Sequence, residues 1–370
     1  MSGPFSYYLD ILRFFAAIAV FFDHVSSYPI TNNFFWKQLG AYGSIAVIVF
    51  FVLSGYVIAY VTSTREKNIT QYASARIARV YSVVLVALVL TFVLDNIGSV
   101  LNPEFYSIQK IMWKPQSVEG YLASLFFVNE YHIFNFNGIS PGSNGPYWSL
   151  SFEVTYYVLA GSFIFLKKEI SLPIIAIILL LSGSTIAVLF PIWILGYMLY
   201  FVNFKTKNRN ILCLMYVISL ALVGMSPLIT KYFPHDNFGF SFAAGRSYQS
   251  RNIIADYFPA IFFAINLICA REILSSFQLS IGKKVERMIR WLGGLTFPLY
   301  LIHFPALAFF ASISPWESNS AMHVVFISLS TIFLVIAFTP TTDRLKHIIK
   351  KNVYWVFSKK ITTKSDSLID

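Results

Sequence analysis

The fold this sequence predicts is all-α: a polytopic membrane protein of about ten transmembrane helices with both termini cytoplasmic. Three observations predict it. Of 370 residues, 56% are hydrophobic and only 12% charged, against about 25% charged in a soluble domain. Several apolar runs exceed the roughly 18 residues that mark a spanning helix. The basic residues also fall on alternate sides of successive runs. A mean hydropathy of +0.64 agrees.

The runs place spans at 6–28, 41–62, 77–95, 147–166, 171–183, 186–203, 211–228, 253–270, 291–312 and 321–339. The first carries no basic leader and no small-residue cleavage site, so it reads as a retained span, not a signal peptide. The second ends at the polar "TSTREKN", and the third has Arg76 and Arg79 at its inner mouth. The fourth enters from "SPGSNGP" and stops at Lys167 and Lys168. The fifth and sixth share "SLPIIAIILLLSGSTIAVLFPIWILGYMLYFV", which is short for two crossings. The seventh follows "KTKNRN", the eighth ends at Arg271, and the ninth begins after Arg290. The tenth stops before Pro340. Residues 1–345 then form one membrane domain and 346–370 a basic tail, and the longest polar stretch is the loop 96–146. Cys213 and Cys269 both lie in apolar runs, which argues for buried thiols over a disulfide framework.

Orientation follows from the 28 lysines and arginines. With a cytoplasmic N-terminus, 21 of them fall on inner segments and six on outer ones, Arg13 being the one left within a span. That split satisfies the positive-inside rule. It also accounts for the net charge of +11 without nucleic acid, which is not an expected partner; membrane lipids are.

Four polar groupings interrupt the apolar runs. The first span, "LDILRFFAAIAVFFDHVSSY", contains Arg13 and His24. Eleven residues of helix are about 1100° of rotation, so both lie on one face about 16 Å apart. Asp10, one turn before Arg13, can pair with it. An interfacial ion pair and a surface histidine would explain each alone, but ionisable groups within a span mark functional sites. The second grouping, "GPYWSLSFEVTYY", puts Trp148 at the outer interface, Glu153 about 7 Å deeper, and Ser149 and Tyr157 on the face of Glu153. The third, "LGGLTFPLYLIHFP", sets His303 about 18 Å from the cytoplasmic end of its span with Tyr300 one turn earlier. Topology gives His24, Glu153 and His303 comparable depths in the outer half. In the fourth, Arg76 and Arg79 are one turn apart at the inner mouth of the third span, where they can reach one ligand; the positive-inside rule also explains them. The N-x-T at Asn68 falls on the cytoplasmic side and is no glycosylation signal. His24 and His303 are not on a zinc-ligand pattern, so no metal is expected.

In this order, the R-x10-H of the first span, "SGYVIAY" in the second, R-x-x-R opening the third, W-S-L-x-x-E in the fourth and "LYLIH" near the end resemble membrane-bound acyltransferase family 3. The resemblance runs over roughly residues 5–340. It implies a ten-helix acyltransferase domain with acyl-CoA, usually acetyl-CoA, as co-substrate and no tightly bound cofactor. Acceptors in such a family are mostly cell-surface carbohydrates or lipid-linked glycans, here in the bacterial inner membrane. Thr296 and Phe297 replace the serine and tyrosine usual before the leucine, so Thr296 receives no role.

The resemblance gives the polar groups roles. Arg76 and Arg79 would hold the coenzyme A phosphates, and the pantetheine arm would pass Arg13 to a thioester near His24. His24 would act as general base on the acceptor hydroxyl, with Glu153 or His303 orienting its ring. Arg13 and Glu153 join the catalytic set, while Trp148, Ser149, Tyr300 and His303 would contact substrate. The alternative is a secondary transporter or flippase of a glycan precursor using Arg13, His24 and Glu153 as a relay; no internal repeat of the kind transporters show is found.

Overall fold

The computed structural model describes residues 3–27, 29–31, 42–108, 116–131, 133, 139–204, 208–232, 253–275 and 281–366. Of the basic residues weighed above, Lys37, Lys110, Lys114, Lys205, Lys207, Arg246 and Arg251 lie outside these, as do the end of the first expected span and the start of the second. Each of the ten spans corresponds to one helix. They are α1 (Pro4–Val25), α2 (Tyr42–Thr64), α3 (Ile69–Leu101), α6 (Trp148–Phe165), α7 (Lys168–Ser182), α8 (Ser184–Leu199), α9 (Arg209–Tyr232), α10 (Ile253–Ser275), α11 (Lys283–Ser312) and α12 (Ala321–Asp366). Two short helices, α4 (Pro103–Ile108) and α5 (Val118–Leu125), lie between α3 and α6. No strand occurs among the described residues. Seven of the helices are long and apolar enough to cross a bilayer, so the chain is an all-α, multi-pass membrane protein.

Three boundaries differ from the sequence reading. α3 starts eight residues before its expected span because Asn68 caps it: the Asn68 side chain accepts from the Gln71 amide at 2.9 Å. The 96–146 stretch is not simply a loop, since α3 continues to Leu101 and α4, α5 and a 3₁₀ turn at Gly145–Tyr147 follow. α12 runs through Pro340 and on to Asp366, so the boundary at 345/346 falls within one continuous helix. The doubtful pair of spans is two helices of 15 and 16 residues, each about 23 Å long and short of a 30 Å core. Gly183 turns the chain between them at φ 93°, a conformation that glycine adopts without steric cost.

Packing concentrates the polar groups at the centre. α1 packs on α2 and α11, α3 on α11 and α12, and α2 on α8. The α2–α8 crossing depends on glycines. A Cβ on Gly55 would lie 2.1 Å from the Trp193 carbonyl oxygen, and one on Gly196 would lie 2.0 Å from that of Val52. Small residues permit such backbone approach in membranes. On the outer side, Asp95, fully buried, accepts from the Ser143 amide at 2.8 Å and its hydroxyl at 2.7 Å. Asn144 donates to the Leu301 carbonyl at 2.9 Å. These bonds pin the segment leading into α6, so Trp148, Ser149 and Glu153 start from a fixed origin.

Candidate active site

Arg13 lies at the end of the site nearer the start of α11. Its guanidinium donates to Asp10 at 3.2 Å, and Asp10 also accepts from Arg290 of α11. Gly293 makes room for this: a Cβ there would meet the Asp10 side chain at 2.9 Å. The expected Asp10–Arg13 pair exists, but Asp10 is shared between two helices, and Arg290 had no distinguishing signal among so many inner basic residues.

Arg76 and Arg79 separate in role. Arg76 donates to Glu66 at 2.7 Å, and its guanidinium lies over the rings of Tyr72 and Tyr157 at 5.5 and 5.7 Å. Burial raises the Glu66 carboxyl above the usual range, with Arg76 pulling against it. Arg79 faces inward instead, in electrostatic reach of Arg13, Tyr157 and Glu153.

A cavity of about 60 Å³ lies between α1, α2, α3, α6 and α11, and Arg13, Arg76, Arg79, Ser54, Glu153 and Tyr300 are among its walls. It has room for a few waters. Glu153 accepts from Ser54 at 3.1 Å and from Tyr157, and Trp193 donates to the Ser54 hydroxyl at 3.2 Å. Glu153 is therefore set among hydroxyls beside the arginines. Ser54 opens the "SGYVIAY" stretch but received no role from the sequence, and Trp193 was not singled out there. Trp148 packs edge-on to Phe152 at 5.1 Å and does not belong to the cavity wall.

At the outer end, Ser149 and Tyr300 are hydrogen-bonded at 2.7 Å, and the Tyr300 hydroxyl donates to the Pro146 carbonyl at 3.2 Å. One proton cannot serve both bonds, so Ser149 donates to Tyr300. One turn beyond Tyr300, His303 meets His24 of α1, with Nε2 of His303 3.0 Å from Nδ1 of His24. His303 Nδ1 lies 2.9 Å from two acceptors, the Leu299 and Tyr300 carbonyls, so it carries a proton. In the neutral ring Nε2 is then a lone pair, and the proton between the rings belongs to His24 Nδ1. That leaves Nε2 as the basic nitrogen of His24. Of the two orienting groups left open by the sequence, it is His303 whose ring meets His24.

The chain has here a part-buried pair of arginines and a hydroxyl-lined carboxylate on one cavity, with the His24–His303 pair one turn beyond Tyr300 of its wall. The sequence profile of an acyltransferase domain matches residues 6–340, a span that holds all of these groups. The chain belongs to membrane-bound acyltransferase family 3. In this chain Arg13 of the R-x10-H, Arg76 and Arg79 of the R-x-x-R and Tyr300 of "LYLIH" line one space. The chain is also 31% identical over 167 residues to the acyltransferase MdmB of Streptomyces mycarofaciens, a match covering 40% of this chain and 36% of that protein. The chain thus spans about a third of the length of that curated relative. No solved structure matches. Among the described residues no three His, Cys, Asp or Glu side chains group as metal ligands.

Proposed function

We propose that this acyltransferase moves an acetyl group from cytosolic acetyl-CoA to a hydroxyl of a surface carbohydrate or lipid-linked glycan, in the bacterial cytoplasmic membrane. The observation that carries the reading is the His24–His303 contact at 3.0 Å, one turn beyond Tyr300, which lines a cavity together with Arg13 and Arg79. A polyanionic donor enters where the arginines are, and the acceptor meets the thioester where the base is. His24 Nε2 takes the proton of the acceptor hydroxyl as its oxygen attacks the thioester carbonyl. The carbon–sulfur bond then breaks, and the thiolate takes up a proton equivalent to the one His24 removed. Throughout, His303 holds the Nδ1 proton of His24, so the ring presents the same nitrogen in each cycle.

The test compares surface glycan from deletion and wild-type cells by NMR, with purified protein incubated with radiolabelled acetyl-CoA alongside. Loss of an O-acetyl signal in the deletion, restored by the wild-type gene and not by His24→Gln, is the expected result. An unchanged glycan with no acetyl-CoA binding would overturn it.

A further inference from the structure

A second cavity, of about 160 Å³, lies on the cytoplasmic side of the first, and Arg13, Arg79, Ser82, Thr342, Asp343 and Lys346 are among its walls. Arg13, Arg79, Thr296 and Phe297 line both cavities. The two are neighbouring compartments of one passage, with the arginine pair between them. Nothing in the R-x-x-R or R-x10-H motifs points to α12, yet α12 supplies the inner wall.

The charges of this compartment do not balance. Lys346 is in electrostatic reach of Arg79, Lys350 and Arg76, all repulsive, and of Asp343, which attracts it. Arg79 likewise opposes Arg13. Arg76, on the wall of the first cavity, is held by Glu66. Three cations, Arg13, Arg79 and Lys346, thus line the compartment with one carboxylate, Asp343; Asp10 is shared between Arg13 and Arg290, and Glu153 offsets Arg13 and Arg79 from the neighbouring cavity. Crowded like charges cost free energy unless an anion joins them. A ligand with several negative charges would supply what is missing.

We infer that this inner compartment seats the phosphate-bearing end of the acyl donor and that Lys346 is its anchoring cation, with Asp343 opposing the phosphates one turn away. The inference rests on the proposed acyl-CoA reading and adds to it a residue from a helix outside the motifs. It makes Lys346 a specificity determinant: it distinguishes a donor with a nucleotide end from a bare thioester. Because Asp343 and Lys346 share the helix and the cavity but carry opposite charge, their variants should act in opposite directions.

The experiment is equilibrium binding of radiolabelled acetyl-CoA to the purified full-length protein in neutral detergent, with displacement by unlabelled S-acetylpantetheine, which lacks the nucleotide and its phosphates. Lys346→Ala should weaken acetyl-CoA on the order of tenfold, the share of one charged contact, and leave S-acetylpantetheine displacement unchanged. Asp343→Asn should tighten acetyl-CoA severalfold. If the wild-type protein binds acetyl-CoA and Lys346→Ala binds it equally well, the inference fails while the donor reading stands. Equal losses for both ligands would make Lys346 a structural residue and overturn it. A Lys346→Ala effect seen only after adding phosphatidylglycerol vesicles would assign the lysine to lipid headgroups, again overturning it. No acetyl-CoA binding by the wild type would overturn the donor reading itself.

Discussion

Nε2 of His303 and Nδ1 of His24 lie 3.0 Å apart across the α1–α11 interface, and the direction of that bond is fixed by two backbone carbonyls on the other side of the His303 ring. A helix carbonyl can only accept. The proton on His303 Nδ1 is therefore dictated by α11 itself, and the tautomer of His24 follows from it. The device resembles a carboxylate holding a catalytic imidazole, but it uses a neutral group, which costs less to bury than a charge.

His24→Gln should reduce transfer by about 10²–10⁴-fold, the usual share of a general base, while acetyl-CoA binding persists. His303→Gln should keep part of the activity, because its amide oxygen can accept from His24 Nδ1. His303→Leu cannot, and should lose on the order of 10–10²-fold more than His303→Gln as His24 loses its fixed tautomer. A folded His24→Gln enzyme with near wild-type rate would sink the assignment.

Arg79 and Arg76 should differ in acetyl-CoA binding. Arg79 lines both compartments, whereas Arg76 is engaged by Glu66. Arg79→Ala should cost about 1.5–3 kcal/mol of binding, the range for a charged hydrogen bond, and Arg76→Ala less. Glu66→Gln, which releases Arg76, should bind acetyl-CoA more tightly than wild type. Calorimetric titration of the three variants checks the order.

Much of this was legible in the sequence, for reasons that vary by residue. Ten helices could be read, seven of them long and apolar enough to cross, because the bilayer imposes length and hydropathy on a spanning helix. Arg13, His24, Glu153 and His303 stood out because ionisable groups in apolar runs are rare. The His24–His303 contact was not legible, since depth alone left Glu153 and His303 equal candidates. Helix contact decides this: α11 packs on α1, and Glu153 sits on α6 with Ser54 and Tyr157. Lys346 was hidden among the basic residues of a region that read as tail, and only the continuation of α12 past Pro340 brings it to a cavity wall.

The α2–α8 crossing should tolerate no side chain at its glycines. Gly55→Leu would have to displace a backbone carbonyl 2.1 Å from its Cβ, and overpacking of this kind costs about 1–3 kcal/mol. The thermal midpoint in detergent should fall, and so should activity, because Ser54, which donates to Glu153 and accepts from Trp193, sits at this crossing. An unchanged midpoint would mean that the helices can move apart freely.

The basic asymmetry predicts sidedness that a membrane-impermeant maleimide reads directly. Cysteine at Lys67, in the α2–α3 turn, should be protected in intact cells, and cysteine at Ser99, near the outer end of α3, should label. The reverse pattern would invert the path and place the arginines on the outside.

Glu153 offers the sharpest test of whether a carboxylate in the path does chemistry or balances charge. It accepts from Ser54 and Tyr157, and it is one of the groups whose negative charge offsets both Arg13 and Arg79. Its bonds are to hydroxyls beside the arginines. Glu153→Gln keeps the shape and removes the charge, so the two guanidinium groups then repel each other with less to offset them. Without ligand the variant should melt below wild type. With saturating acetyl-CoA, whose phosphates replace the lost negative charge, it should recover most of the difference, so the ligand-induced shift should be larger than in wild type. Its turnover at saturating donor should fall by less than about tenfold, below the share of a general base. A variant that melts and binds like wild type but transfers a thousandfold more slowly would put Glu153 in the chemical step.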